Sequence, residues 1–270
     1  NNFKSYFKKM NLTFYKKVIK KKLSKIINKG DVIYVESDLT SFREIFKLSK
    51  SKKQFLNFFF KILKNLIGKR GTLIVPSFSH SWGDSEKKKI FNLNTSISKT
   101  GIFPEYLKNM KNTYRTLDPM FSCLINGNKY KIFLKVGKNT FGASSIFEKL
   151  NKNNAKLVSF GLKRFDPTFV HYVEQYYDEN IKKIKYRYLK KLKGVIIYKN
   201  KKYKDEFFTF LRNKKHNKFF NEKRIKKDLM QNKKLKKINI LGADIYVVKA
   251  RDFFTTGING MKKKVNYFVN

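Results

Sequence analysis

Cysteine, tryptophan, histidine and acidic residues are all scarce in this chain. One cysteine in 270 residues, Cys123, excludes an intrachain disulfide and suits a reducing compartment. Three widely separated histidines and that one cysteine do not make a zinc-ligand set, so no metal is expected. Nowhere do eighteen apolar residues follow one another, so no spanning helix is expected. The first residues carry lysine without a continuous apolar stretch. A cleaved secretory signal is therefore not expected, and the cytoplasm is the expected compartment. Neither a Walker nor a Rossmann glycine pattern occurs.

Negative charge is the largest deficit. Nineteen Asp and Glu stand against 63 Lys and Arg, a formal net charge of +44. Such a balance ordinarily points to nucleic acid or an anionic membrane surface. Only eight of the basic residues are Arg, however, and Lys comes with abundant Asn, Ile, Phe and Tyr. That is the pattern of an A+T-rich coding sequence, although it leaves the shortage of Glu unexplained. No nucleic-acid motif accompanies the charge, so its expected role is the recruitment of small anionic ligands. A non-enzymatic basic nucleic-acid-binding protein stays as the contrasting alternative, and nucleic acid is not expected as a partner.

What is present is core material. Hydrophobic residues make up 41% and aromatics 16%, with 27 Phe and 15 Tyr, enough for a substantial folded domain. The periodicity predicts a basic amphipathic helix over 3–27, with Phe7, Met10, Phe14, Val18 and Ile19 towards one side. Strands follow at 31–35 and 72–75, joined by a helix that Ser51 opens and Gly68 closes. A helix-length connection makes the two strands parallel. Residues 83–95 read as loop. Thr100-Gly101 leads into a short helix containing Pro104, and Ser122 begins a strand to Asn126. Residues 185–189, 194–199 and 202–210 read as strands, the last two joined by a turn at Asn200-Lys201. Beyond 213 lysine dominates: 223–236 is an external helix or a mobile arm, 238–249 is strand-like, and 251–261 a closing helix. His216 reads as solvated within a helix.

The chemistry centres on residues 155–174. Lys156 to Phe160 reads as a buried strand ended by Gly161, and Asp166 or Thr168 can cap a helix with Pro167 at its first position. His171 and Glu174 then share one helical face at a strand's carboxyl end, where open α/β sheets bind ligands. His171 suits a general base because its unperturbed pKa lies near neutrality. Glu174 suits the group that orients the ring. The same spacing also suits a solvated pair on a helix surface.

Around that pair lie Gly30-Asp-Val-Ile-Tyr-Val-Glu-Ser-Asp-Leu39, Gly71-Thr-Leu-Ile-Val-Pro-Ser-Phe78, Thr100-Gly-Ile-Phe-Pro-Glu105, Arg115-Thr-Leu-Asp-Pro-Met-Phe-Ser122, Gly142-Ala-Ser-Ser-Ile-Phe147 and Thr168-Phe-Val-His-Tyr-Val-Glu174. In this order the blocks resemble the aminoglycoside 3-N-acetyltransferase family, whose relatives also act on amino sugars of surface polysaccharides. The resemblance implies an α/β fold with a central mostly parallel sheet, flanking helices and additional antiparallel strands. It implies direct transfer from acetyl-CoA, with coenzyme A and an amino-sugar acceptor as partners and a homo-oligomer left open. The expected organisation is an N-terminal amphipathic helix over 1–29 packed on one acetyltransferase domain over 30–270, with 213–270 its Lys-rich portion.

The resemblance places His171, Glu174 and Asp118 at the chemistry. It places Ser37, Asp38, Leu39, Thr40, Ser77, Arg115 and Ser122 against the coenzyme, and Glu36, Phe78, His80, Trp82 and Thr168 against the acceptor. Departures are informative. Glu36-Ser-Asp-Leu39 stands where the family usually has His-Ser-Ser-Leu, and acidic groups beside a phosphate are unfavourable. Asp118 replaces a His in the family's Arg-Ser-x-His-Pro-x-x-Ser, which suits an ammonium or hydroxyl partner or an orienting role towards His171. The expected activity is N-acetylation of a nucleotide-linked amino sugar for surface polysaccharide. The alternative with the same chemistry is acetylation of an aminoglycoside antibiotic, as in resistance.

Overall fold

The computed structural model describes residues 11–270. The expected helix over 3–27 begins, within those residues, at α1 (Leu12–Leu23), which Asn11 caps by accepting the Phe14 N–H. Tyr15, Ile19 and Leu23 face inwards, while Phe7 and Met10 lie outside the described residues. Next come β1 (Val32–Ser37), a single 3₁₀ turn (Leu39–Phe42), α2 (Arg43–Lys47), α3 (Lys52–Ile67) and β2 (Thr72–Pro76). Then follow β3 (Ile90–Asn92), α4 (Ile102–Lys108), β4 (Thr113–Arg115), β5 (Cys123–Gly127), α5 (Tyr130–Leu134), α6 (Ile146–Lys152) and β6 (Lys156–Phe160). The remainder is α7 (Val170–Asn180), β7 (Arg187–Tyr198), β8 (Lys201–Arg212), α8 (Lys223–Gln231), β9 (Lys236–Ile240), β10 (Ala243–Lys249) and α9 (Ala250–Lys263).

Seven strands form the main sheet in the order β4-β5-β2-β1-β6-β10-β9. Its centre, β2-β1-β6, is parallel, and the strands added on either side are antiparallel. Both faces are covered, which is why β1 reads as a continuous apolar run. Ile33 and Val35 point into one core with Phe59, Ile62 and Phe160, and Val32 and Tyr34 into the other with Phe147, Phe169 and Val173. Each fully buried Phe contributes roughly 1.5–3 kcal/mol. In α3 Ser51 accepts the Gln54 N–H as its sequence predicts, while Gln54 reaches back to the Lys50 N–H, one residue before the Ser51 N–H of a capping box.

A smaller sheet, β3-β7-β8, is a long hairpin with one short parallel strand against it. The hairpin turns at Lys199 and Asn200, both with positive φ, one residue earlier than expected. The segment 83–95, read as loop, contains β3. That strand is only three residues long, and its partners Val195 to Ile197 lie far along the chain. In place of a helix around His216 there is a one-turn 3₁₀ segment (Lys214–His216). The Lys-rich stretch beyond 213 holds α8, whose Ile225 and Leu229 are fully buried, and the β9–β10 pair on the sheet.

Candidate active site

Gly161 ends β6 with φ +75, and a Cβ there would meet the Asp38 carbonyl oxygen at 2.6 Å. This close approach draws the β1 and β6 ends together, with the Asp38 N–H on the Phe160 carbonyl and the Ser41 hydroxyl on the Gly161 carbonyl. A cavity of about 510 Å³ opens above these carboxyl ends. Val35, Val75, Phe78 and Pro104 give it an apolar side, and Glu36, Ser37, Asp38, Lys163, Arg164, Asp166 and Thr168 a polar one.

Helix α7 starts later than expected. Its N-cap is Phe169, with no side-chain cap, and neither Asp166 nor Thr168 closes it. Residues 167–172 instead make i to i+3 backbone bonds, and Glu36 takes over the free donors of this lead-in turn. The Glu36 carboxylate accepts the Thr168 N–H at 3.1 Å and its hydroxyl at 2.5 Å. Burial pushes the Glu36 carboxyl up to about 7, against the pull of these two donors.

On the next turn the His171 Nδ1 lies 3.0 Å from Glu174 Oε2. Glu174 is fully buried, and the Arg187 Nε sits 2.6 Å from the same oxygen. Burial alone would raise Glu174, but Arg187 and the imidazole outweigh it and hold the carboxyl below its ordinary range. An ionised carboxylate only accepts, so Nδ1 carries the proton and Nε2 keeps its lone pair. Nε2 makes no hydrogen bond among the described residues. Burial, helped by Arg187, lowers the His171 pKa, which keeps the ring neutral at pH 7. The ring stands edge-on to Phe141, 5.2 Å between centroids, and its side chain is 22% exposed. His171 is not itself in the wall of the 510 Å³ cavity; Thr168, one turn earlier, is.

The remaining residues singled out from sequence divide into groups. Asp118 is buried and accepts the Met120 and Phe121 N–H groups, both at 2.8 Å. It builds a turn instead of orienting His171, and the packed rings of Phe121 and Phe141, 4.7 Å apart, lie between the two. Arg115, Ser122 and Ser77 do meet, but inside the protein. Arg115 Nε donates to the Ser122 hydroxyl, Nη2 to the Ser77 carbonyl and Nη1 to the Ser96 carbonyl, so its donors face protein groups and not a phosphate. Burial brings this guanidinium down to about 10.

Of the turn expected to offer an anion site, Leu39 is buried, and the Asp38 carboxylate accepts both the Thr40 N–H and its hydroxyl. Trp82 is wholly enclosed by Phe91, Met120, Leu192, Ile196 and Phe207, so no face of its indole is left for a sugar. Phe78 lines the 510 Å³ cavity, and His80 faces a different opening beside β8. Cys123 is buried, and burial raises its thiol well above the ordinary value. Arg187 is the contributor that the helical spacing does not reveal, because it arrives from another element. Its signal was rarity, as one of only eight arginines. Among the described residues no group of three or more His, Cys, Asp or Glu is placed to hold a metal, and no helix is long and apolar enough to cross a membrane.

This architecture is that of known acetyltransferases. The chain superposes on AAC-VIa bound to sisomicin with a TM-score of 0.72 at 14% identity, covering 94% of this chain and 98% of the other. For the AAC-IIIb binary complex with CoASH the values are 0.71 and 15%, over 94% and 97%. YokD from Bacillus subtilis gives 0.69 and 15%, over 92% and 94%. No curated protein matches the chain by sequence. The family model for aminoglycoside 3-N-acetyltransferase matches residues 35–262. The chain belongs to that family, and its class of enzyme is N-acetyltransferase.

Proposed function

We propose that the protein transfers the acetyl group of acetyl-CoA to the amine of an amino sugar, a nucleotide-linked one of surface-polysaccharide synthesis, with His171 as general base. The observation that carries this reading is the Arg187–Glu174–His171 series, which leaves a neutral, proton-accepting Nε2 at a partly open ring. The 510 Å³ cavity suits the coenzyme's arm. Its apolar strip accommodates the pantetheine chain, and Lys163 stands at its wall for phosphate, while Arg164 beside it is held by Glu222 at 2.7 Å.

The acceptor must attack as a neutral amine, because an ammonium has no lone pair. As its nitrogen bonds to the thioester carbonyl carbon, Nε2 takes the amine proton, and Glu174 stabilises the resulting imidazolium. The C–S bond then breaks and the coenzyme leaves as thiolate, which the imidazolium proton neutralises. The amides of Asp38 and Thr40 are already engaged by Phe160 and Asp38, so they do not supply the oxyanion donors. Purified protein with acetyl-CoA should release thiol in the presence of nucleotide-linked amino sugars, with aminoglycosides as the contrasting arm of the panel. His171→Ala should lower kcat by roughly 10² or more with coenzyme A affinity retained. Full turnover in that variant removes His171 from this role.

A further inference from the structure

On the far side of the segment that carries His80, a second opening of about 800 Å³ runs along the end of the β7–β8 hairpin. Its floor is apolar, with Met120, Leu192 and Leu211, and its rim carries Arg212, Lys214 and Lys215. One carboxylate, Asp84, lines it, and Lys190 already holds both of its oxygens at 2.8 and 3.0 Å. The three rim cations form no ion pair among the described residues. The Tyr188 ring borders the same opening and is 44% exposed.

The groove is linked to the catalytic pair by two routes. Arg212 is the cross-strand partner of Arg187, which holds Glu174. His80 lies 5.0 Å from Phe121, and the ring series Phe121–Phe141–His171 continues from there. Lysines are everywhere on this molecule, so basic residues alone single out nothing. What singles out the groove is concavity, an apolar floor, an uncovered aromatic ring and cations without carboxylate partners, Arg212 being stacked on the Phe219 ring at 4.2 Å. Two packed rings, Phe121 and Phe141, lie between it and His171. A polycationic acceptor would meet net repulsion here, whereas a diphosphate would meet an Arg fork and two Lys point charges.

We propose that this groove binds the diphosphate of the acceptor, with Arg212, Lys214 and Lys215 on the phosphates and Tyr188 against the attached ring. The proposal rests on the acetyltransferase reading above and fixes its acceptor class as anionic. Coenzyme A carries a diphosphate too, so the test must separate the two sources. UDP is titrated calorimetrically into protein saturated with coenzyme A, and KM is measured for a UDP-linked amino sugar and for acetyl-CoA. Wild type should bind UDP while the coenzyme is bound. Arg212→Ala combined with Lys214→Ala should weaken UDP and raise the acceptor KM by roughly tenfold, as for exposed charge-assisted contacts. The acetyl-CoA KM should move less than about twofold.

Both side chains are exposed, and the single change Lys215→Gln should act in the same direction should the double variant fold poorly. No UDP binding in the presence of coenzyme A overturns the assignment, as does an equal rise in both KM values. If no amine is acetylated at all, the transferase reading falls, and UDP titration still reports on the groove.

Discussion

At Glu36 a carboxylate does what a capping serine or threonine ordinarily does, and it does so from another strand. It gathers the Thr168 N–H and hydroxyl at the start of the segment leading to His171. Burial holds its carboxyl at about 7 where 4.5 is ordinary. The folded protein therefore binds a proton at Glu36 more tightly than the unfolded chain does. The stability from this group is complete below about pH 4.5 and is lost as pH rises through about 7, a contribution on the order of 3 kcal/mol. Glu36→Gln keeps an acceptor for Thr168 and stays neutral. Its melting temperature should gain on wild type steadily from about pH 5 to pH 8; parallel curves over that range would show that Glu36 is ionised throughout. The His171–Glu174 pairing was legible because i and i+3 share a helix face. The Glu36–Thr168 link was not, because it joins residues 132 apart in sequence.

Among the elements, the β7–β8 hairpin has the most specific fit. A Cβ at Gly194 would lie 2.5 Å from two Trp82 ring atoms and 2.6 Å from the Lys89 carbonyl oxygen. The ring could turn, but the backbone oxygen belongs to the residue that receives the Val195 N–H and has no room to yield. Gly194→Ala should cost about 1–3 kcal/mol, the usual range for overpacking, read as a lower denaturant midpoint. Trp82 is the only tryptophan, so its emission should also shift to the red as solvent reaches it. Unchanged emission and midpoint would mean that the hairpin slides freely over the indole. The same packing explains what sequence left hidden. Strands β1 and β2 and helix α3 were legible from local periodicity and caps, while Trp82 looked like a sugar platform until a distant hairpin covered it. Arg115 likewise looked free until carbonyls from Ser77 and Ser96 closed around its guanidinium.

For the whole molecule, charge is the dominant non-local quantity. With 63 basic and 19 acidic side chains, even a complete set of ion pairs would leave most cations facing other cations. Exposed pairs such as Glu44–Lys47 contribute at most about 1 kcal/mol each, and salt weakens them. Salt also screens the repulsion summed over a net +44, since the Debye length falls from about 30 Å at 0.01 M to about 10 Å at 0.1 M. The two effects oppose each other, and the excess of like charge decides the sign. Raising sodium chloride from about 10 mM to about 500 mM should therefore increase the melting temperature by several degrees. About 1 kcal/mol corresponds to some 2–4 °C for a chain near this size. A protein held together by its surface ion pairs would melt earlier in the same titration, and that outcome would mean that the lysines are spaced widely enough to be indifferent to one another.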